Sequence, residues 1–472
     1  MFENEDEHFF DENFNEDLVR FENSLKGEPL GFMDSDSFEI LIDHYLIQGN
    51  YNKASLCADL GREQYPFKSV FQLRKAQAVS GMGQLKEALT LLSQIDSFYE
   101  ESCEFLLTKA SIFSQLRDSK NAIKYFSEAL NSAEPEDKDE IYIDLAMEYE
   151  HALDFKGAVK VLKEALTNNS KNEIAIYELA FCYDQLAEYE LAIECYYDFI
   201  NENPYSYTAW YNLGNAFAKQ NNHSKAIWAY DYSITINEEF SPAYFNLGSS
   251  YLSLENYKTA LDFFTKCIDV DGDDALCLCF IGECYEQLDE LEKAKEFYHK
   301  SLELNPELGD AWLGLGIVKD LEDFTTEGIN LFHKAIEIEP TNAGYYHVLA
   351  GALEKLERNE EANKNYLFAL ELDNQNVQLV NDYLDFLLKL NKSNDFDLFI
   401  HEFNTTNKDV LFMIQLINGV KEYRLGNTES AVYIFISLIS QNVEKSKELF
   451  SMYPELLNDN KIVNLFPISK DN

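Results

Sequence analysis

The sequence predicts an all-α fold in which one kind of helix pair recurs along nearly the whole chain. Segments 209–234 and 243–268 align without a gap at a spacing of 34 residues. Within each segment the apolar residues recur at steps of three and four, which places them on one face of a helix. Glycine and proline are sparse, at 19 and 9 of 472 residues, as expected of a chain built from helices. Because one pair cannot cover its own apolar faces, neighbouring pairs must stack.

Each repeat contains two predicted helices joined by a polar turn. In one repeat, Trp210, Leu213 and Gly214 mark the first helix, and Ala226 and Tyr230 mark the second. We expect the small residues to let the two backbones approach, with aromatic side chains filling the gap beside them. The same residue types continue in phase in both directions along the chain, with one slip of two residues near position 135.

Prolines mark the ends of several second helices, because proline cannot continue a helix. They are Pro66, Pro204, Pro306 and Pro340. The whole pattern resembles the tetratricopeptide repeat family, whose consensus is W-x2-L-G-x2-Y…A-x3-F…A…P. The resemblance covers about residues 35–443, is most specific over 139–374, and leaves a general impression of a bacterial sequence. It implies a right-handed α-α superhelical solenoid of about ten to twelve helix pairs with terminal capping helices.

The array is expected to have distinct ends and one irregular unit. Residues 1–34 form an acidic, aromatic-dotted tail and cap, in which 1–12 are disordered and 16–25 form a helix. Residues 35–376 form the repeat array, 377–410 a degenerate repeat with Leu384 and Phe396 in place of small residues, 411–443 a final repeat-like unit, and 444–472 a C-terminal cap and tail. Whether the acidic tail has a function or only aids solubility is left open.

The charge of the chain limits the partners that it can attract. Asp and Glu number 84 against 38 Lys and Arg, a formal charge of -46. Such a field repels nucleic-acid phosphates and anionic lipid surfaces, so we expect no nucleic-acid binding. The longest apolar runs, such as 433–439, are too short to span a bilayer, so we expect no membrane insertion. A basic protein or peptide would be attracted, although the same charge could serve solubility alone.

No motif indicates an enzyme, a metal site or a cofactor. The chain lacks a P-loop, a G-x-S-x-G motif and a dinucleotide fingerprint, so we expect no catalytic residues. Cys277, Cys279 and Cys284 lie on a predicted helix and are interpreted as core residues, because zinc ligands usually come as C-x2–4-C pairs on loops. The acidic stretch 269–280 has its glycine at the fourth position instead of the sixth, which argues against a calcium loop. The N-terminus carries no secretory signal and the cysteine usage suits a reducing compartment, so a cytoplasmic location is expected.

The resemblance implies that the first helix of each repeat lines a concave groove. The positions that would face the groove carry Tyr177, Glu178, Phe181, Asp184, Tyr211, Asn212, Asn215, Lys219, Phe245, Asn246, Phe280 and Glu283. Asn212 and Asn246 share one position in successive repeats, similar to the asparagine ladder in the repeat domain of O-linked N-acetylglucosamine transferase. A carboxamide can both donate to and accept from a peptide backbone, although such residues can also merely cap or solvate a helix.

Two functions remain from the sequence. The first is a non-catalytic scaffold or adaptor that binds an extended peptide or partner segment in the groove. The alternative is an acidic holding chaperone or antagonist of a basic protein. A carboxylate clamp for a free C-terminus is not expected, because the position that would need lysine holds Tyr177, Tyr211 and Phe245. The oligomeric state is left open.

Overall fold

The computed structural model describes residues 12–95, 102–447 and 452–465, and every regular element within them is a helix. The helices are α1 (Glu12–Ser24), α2 (Ser35–Ile47), α3 (Tyr51–Gln64), α4 (Ser69–Gly81), α5 (Leu85–Leu92), α6 (Cys103–Gln115), α7 (Ser119–Ser132), α8 (Lys138–His151), α9 (Phe155–Asn168), α10 (Glu173–Leu186), α11 (Tyr189–Glu202), α12 (Tyr207–Lys219), α13 (His223–Ile236), α14 (Ser241–Ser253), α15 (Tyr257–Asp271), α16 (Ala275–Gln287), α17 (Leu291–Leu304), α18 (Gly309–Leu321), α19 (Thr325–Ile338), α20 (Ala343–Lys355), α21 (Asn359–Leu372), α22 (Val377–Lys389), α23 (Ser393–Glu402), α24 (Lys408–Arg424), α25 (Thr428–Gln441) and α26 (Val443–Lys447). A 3-10 helix (Pro454–Asn458) and a short α-helix (Asn460–Val463) follow.

The helices pack in pairs that are consecutive in the chain. Even-numbered helices from α2 to α24 are the first helices of the repeats, and odd-numbered helices from α3 to α25 are the second helices. Within each of the chain's two compact units, divided after Ser250, second helices pack on their own first helices, as α13 does on α12 and α17 does on α16, and successive repeats contact one another. The predicted all-helical array of helix pairs is therefore confirmed, whereas the right-handed superhelix stays a prediction.

The backbone itself repeats with the period read from the sequence. One non-glycine residue with a positive φ angle stands in the turn after each of many first helices, a conformation that costs an L-residue energy and sharply ends a helix. These residues are Arg117, Leu153, Ala187, Asn221, Glu255, Asp289, Asp323, Glu357 and Asn391. The spacing is 34 residues throughout except between Arg117 and Leu153, where it is 36. The two-residue slip near position 135 is thus present in the structure.

Backbone carbonyls of prolines that follow second helices accept hydrogen bonds from the next first helix. Each of them lies two residues beyond a helix end, as Pro204 does after α11. The indole nitrogen of Trp210 donates a hydrogen bond to the Pro204 carbonyl at 2.9 Å. Trp312 repeats this bond with Pro306 at 2.9 Å. An aromatic residue with a polar donor at this position therefore fastens the start of a first helix to the end of the preceding repeat.

The small residues of the first helices meet aromatic rings of the second helices, in agreement with the expectation that aromatic side chains fill the gap beside them. A Cβ atom added to Gly214 would lie 2.4 Å from the ring of Tyr230 in the second helix of the same repeat. Gly316 has the same relation to Phe332, at 2.4 Å. The reason is one of volume: a ring in the second helix reaches the first helix only where that helix has no side chain. Gly328 is different, since its added Cβ would meet the Gly316 carbonyl oxygen at 2.6 Å.

The described N-terminal residues form a helix that packs on the first repeat. Phe21 of α1 is fully buried among residues of α2 and α3. The hydroxyl of Tyr45 donates to Glu22 at 2.7 Å, and Lys53 pairs with the same carboxylate. The expectation of disorder for residues 1–12 falls almost entirely on residues 1–11, which lie outside the described part of the chain.

The repeat with Leu384 and Phe396 departs from its neighbours. Its second helix, α23, has only 10 residues, compared with 14 in α19 and α21. The next first helix, α24, packs directly against α22. Leu384 and Phe396 are both fully buried there. The larger side chains are thus accommodated by a shortened second helix, and the pattern resumes in α24 and α25, where an added Cβ on Gly419 would lie 2.5 Å from Phe435.

We predict that Gly214→Ala lowers the free energy of unfolding by about 1–3 kcal/mol, because the new methyl group must displace the Tyr230 ring. Gly351→Ala is the matched control, since an added Cβ at this helical position has no atom within 4 Å. It should instead stabilise the protein by about 0.5–1 kcal/mol through helix propensity. Urea unfolding followed by circular dichroism measures both. Equal effects of the two substitutions would contradict the ring contact.

Candidate functional site

Two aromatic side chains of α10 lie on the protein surface. Tyr177 is 61% exposed and Phe181 is 46% exposed, although rings of this size are usually covered. The Phe155 ring stands edge-on to Phe181 at 5.9 Å between ring centres. The side of α10 that carries Leu179 and Tyr183 is buried, so the exposed rings belong to the other side of the helix. We call the surface formed by Tyr177, Phe181, Tyr211, Asn215, Phe245 and Asn246 the first-helix face.

A hydrogen-bond network connects α12, α13 and α14 on this face. The Asn246 side-chain nitrogen donates to the Tyr211 hydroxyl at 3.1 Å and to the Asn215 side-chain oxygen at 2.8 Å. Buried Tyr230 of α13 donates its hydroxyl to the same Asn215 oxygen at 2.8 Å. The two bonds of Asn246 therefore use both N–H groups of its side-chain nitrogen. Within the described residues no hydrogen bond reaches the Asn246 Oδ1 atom.

The predicted equivalence of Asn212 and Asn246 does not hold. Asn212 is only 4% exposed, and its side-chain nitrogen donates to the backbone carbonyl of Ile176 at 3.4 Å. The cause is the direct packing of α12 on α10, which brings this carbonyl within reach. Asn212 therefore fastens two first helices together, and the expectation that it faces a groove is wrong. A shared register position could not reveal this difference.

Lys219 and Asp184 form a pair that the sequence interpretation did not foresee. Their charged atoms are 3.0 Å apart, and both side chains are about half exposed. The arrangement recurs between other adjacent repeats, in Lys355 with Asp320 at 3.1 Å and in Lys389 with Glu354 at 3.0 Å. In each case a lysine at the end of one first helix meets an acid near the end of the preceding one. The spacing of 35 residues between the partners was the available signal.

Glu178 is partly buried beside the exposed rings. Burial raises the pKa of its carboxyl group, and the nearby Glu150 carboxylate raises it further. Burial likewise raises the pKa of Glu150, whose Oε1 atom accepts a hydrogen bond from the Cys182 thiol at 3.2 Å. Two carboxyl groups that repel each other next to exposed aromatic rings make this part of the face receptive to a cation.

The remaining predicted residues, Phe280 and Glu283, belong to α16 in the second compact unit. Phe280 stacks on Phe264 with 5.4 Å between ring centres. Burial raises the pKa of Glu283, and Asp310 adds to the rise. Burial also raises the pKa of neighbouring Glu286 to about 7, although the Tyr298 hydroxyl donates to its Oε2 atom at 2.8 Å. Sequence reasoning did not select Glu286.

The three cysteines of α16 are core residues. Cys277, Cys279 and Cys284 are all buried, and the Cys277 thiol donates to the backbone oxygen of Phe264 at 3.3 Å. Burial raises the pKa of the Cys284 thiol to about 12, so it stays protonated. The described residues contain no group of three or more His, Cys, Asp or Glu side chains placed to hold a metal ion.

Family models match three stretches of the chain. Two models described as tetratricopeptide repeat match residues 241–274 and 275–308, which are consecutive windows of 34 residues. Their boundaries follow the register defined by the positive-φ turns and the ring contacts. The chain is a tetratricopeptide repeat protein. A third model, described as ChAPs (Chs5p-Arf1p-binding proteins), matches residues 106–238 of this repeat protein.

Several solved structures are similar to part or most of this tetratricopeptide repeat protein. The MamA protein is 27% identical over 35% of this chain and 90% of its own, with a TM-score of 0.32. YrrB, described as a TPR protein with an unusual peptide-binding site, is 21% identical over 40% of this chain and 98% of its own, with a TM-score of 0.30. Cut9–Hcn1 of the APC/C is 13% identical over 96% of this chain and 99% of the matched chain, with a TM-score of 0.42. A comparison with curated protein sequences finds no match.

The repeats of this tetratricopeptide repeat protein indicate a protein–protein interaction scaffold, and the matched families are typically non-catalytic. Among the helices that the structure describes, none combines the length and the apolar character needed to cross a bilayer.

We predict that Glu286 makes a contribution to the free energy of unfolding that is lost as the pH rises from 4.5 to about 7. The pKa of this carboxyl group is raised from its ordinary 4.5, so the folded state holds the proton more tightly. The free energy of unfolding should therefore fall as the pH rises through this window, by up to about 1.4 kcal/mol per pH unit. Glu286→Gln should remove this part of the pH dependence, as measured by urea unfolding at several pH values.

Glu303→Gln serves as the control for this measurement, because Glu303 is an exposed glutamate on α17. Its pH dependence should match that of the wild type. A Glu286→Gln variant that kept the wild-type slope would show that this carboxyl group is not the titrating one.

Proposed function

We propose that the protein is a non-catalytic scaffold that binds an extended segment of a partner protein along the first-helix face of α10, α12 and α14. The observation that carries this proposal is the network around Asn246, in which Tyr211 and Asn215 hold a carboxamide on the helix series that also exposes the rings of Tyr177 and Phe181. A surface that only needed to be soluble would gain nothing from a carboxamide held in place by Tyr211 and Asn215.

The chemistry of the face suits an extended polypeptide. Asn246 Oδ1 can accept a hydrogen bond from a backbone N–H group whatever side chain that residue carries. Tyr177 and Phe181 offer ring surface to the side chains that flank it, and Tyr residues are enriched among binding hot spots. Since Asn246 is already held by Tyr211 and Asn215, little side-chain freedom is lost when the partner binds.

We further propose that the partner segment carries lysine or arginine. Burial raises the pKa of both Glu150 and Glu178, and the Glu150 carboxylate raises that of Glu178 further, so a cation placed between them would be stabilised by both. The exposed rings next to them can also receive a cation on their faces. Recognition by this local pair would give a shallow dependence of affinity on salt. A steep dependence would favour the alternative, a holding protein that uses its whole acidic surface.

The cysteines support placing this interaction in the cytoplasm. All eight lie in described residues, and none of them forms a disulfide bond. Thiols persist in this form where the compartment is reducing.

We predict that the double variant Tyr177→Ala/Asn246→Ala loses its partner while it keeps its helical content. Removing one hydrogen bond and one exposed ring should cost about 1–3 kcal/mol of binding free energy, or roughly 5- to 150-fold in the dissociation constant. The measurement is affinity purification from the native host with wild-type and variant bait, followed by titration of the recovered protein. Circular dichroism verifies that the variant is folded.

Phe67→Ala is the matched control, because Phe67 is 98% exposed but lies between α3 and α4, away from the first-helix face. It should retain every partner that the wild type captures. Retention of all partners by the double variant would refute binding at this face.

A further inference from the structure

The exposed side of the second helices changes its charge between α9 and α11. The second residue of the helix is lysine in α5, α7 and α9 and glutamate in α11, and the residue four positions later is lysine in α7 and α9 and glutamate in α11. The lysine stripe is Lys86, Lys120, Lys124, Lys156 and Lys160, and the acidic stripe is Glu190 and Glu194. All seven side chains are exposed, and residues four apart share one face of a helix. Two stripes of opposite charge therefore lie side by side.

The lysines of α9 have only weak partners within the chain. Lys156 lies 3.6 Å from Glu188, and its side chain is 75% exposed. Lys160 lies 3.9 Å from Glu164 and is 80% exposed. Exposed ion pairs of this kind contribute little to stability, because water already solvates both charges. Both lysines therefore remain able to pair with the charges of another molecule.

An apolar cleft separates the two stripes, and aromatic rings follow the acidic one. The cleft lies between α9 and α11 and has a volume of about 630 Å³. Leu191 of α11 lines it and is 46% exposed. Beyond α11, the rings of Trp228 and Tyr232 on α13 are 40% and 45% exposed. The surface thus presents lysines, an apolar strip, acids and aromatic rings in that order.

This order restricts the partner that can cover the surface. A uniformly acidic partner would be repelled at α11, and a uniformly basic one would be repelled at α9. A partner with a basic and an acidic stripe side by side, at the same spacing, fits both. A second copy of this chain carries such a surface, and a contact between identical surfaces about a two-fold axis is self-complementary.

The shared register specifies where the axis would lie. Successive second helices run in the same direction, since one 34-residue repeat separates them. A two-fold axis parallel to α9 and α11, and between them, lays the α9 of each copy on the α11 of the other. Because this rotation keeps the position along the helices, Lys156 meets Glu190 and Lys160 meets Glu194 in both halves of the contact.

We propose that two copies of the protein form a symmetric dimer through this surface, which we call the α9–α11 interface. In the same arrangement α7 of one copy lies on α13 of the other, so Lys124 reaches the exposed face of Trp228. The contact uses the first two turns of α9 and α11, because the third turn carries an acid in both helices, Glu164 and Asp198. The first-helix face belongs to other helices, so the dimer would offer two copies of it to a partner.

Charge reversal on either stripe tests the interface. Lys156→Glu/Lys160→Glu and Glu190→Lys/Glu194→Lys should each weaken self-association by about tenfold or more, because like charges would then face each other. The second variant is the sharper test, since it lowers the net negative charge of the chain and general repulsion would predict tighter association. Sedimentation velocity of the full chain at physiological salt, from micromolar to submillimolar concentration, measures the dissociation constant.

Two further measurements separate the proposed pairing from other causes. An equal mixture of the two charge-reversed variants should form a mixed dimer, because every proposed contact then pairs opposite charges. Asp198→Asn should tighten the dimer, because it removes the repulsion from Glu164 of the other copy. Lys293→Glu/Lys300→Glu is the matched control, since it makes the same charge change on exposed residues of α17 and should leave the association at the wild-type level.

Several results would overturn the proposal. A wild-type protein that stays monomeric at submillimolar concentration has no such interface. Wild-type association in either charge-reversed variant would place the contact elsewhere. Failure of the two variants to form a mixed dimer, while circular dichroism shows both to be folded, would refute the pairing of the stripes. Equal weakening in the α17 control would attribute the effect to net charge.

Discussion

The structure depends on one recurring contact, in which an aromatic ring of a second helix covers a small residue of its own first helix. Sixteen residues separate Gly214 from Tyr230 and Gly316 from Phe332, and the same separation returns in Gly419 and Phe435. Because the ring occupies the space of a missing side chain, it sets how closely the two helices of a repeat approach. Loss of such a buried ring typically costs about 3–5 kcal/mol. The 34-residue register then follows from repeating this contact with turns of constant length.

At Tyr230 the ring of this contact also carries a hydroxyl group that takes part in the candidate site. The ring packs on Gly214, while the hydroxyl at its end donates to Asn215 and thereby holds the network that orients Asn246. Phe264, one repeat later, has no hydroxyl at the corresponding place. In α17, Tyr298 uses its hydroxyl to hold Glu286 instead. The core position is therefore common to the repeats, and the chemistry that it presents to the first helix differs from one repeat to the next.

The fold could be predicted from the sequence because its determinants are local and repeated. The small residue, the ring and the proline recur at fixed spacings, so each repeat supports the interpretation of the others. The site was predictable only in part. Tyr177 and Phe181 are exposed as the register implies. Asn212, however, donates its side-chain hydrogen bond to the Ile176 carbonyl, and this bond depends on how closely α10 and α12 approach each other.

We infer that one side chain, Tyr230, links the packing of its repeat to the geometry of the proposed binding face. Tyr230→Phe separates the two roles, since it keeps the ring and removes the bond to Asn215. The most direct measurement is the affinity of this variant for a partner that the first-helix face has captured, together with its free energy of unfolding. We expect the stability to fall by only about 1 kcal/mol, as for one internal hydrogen bond, and the dissociation constant to rise by about 3- to 10-fold. Unchanged affinity with the same small loss of stability would contradict the claim.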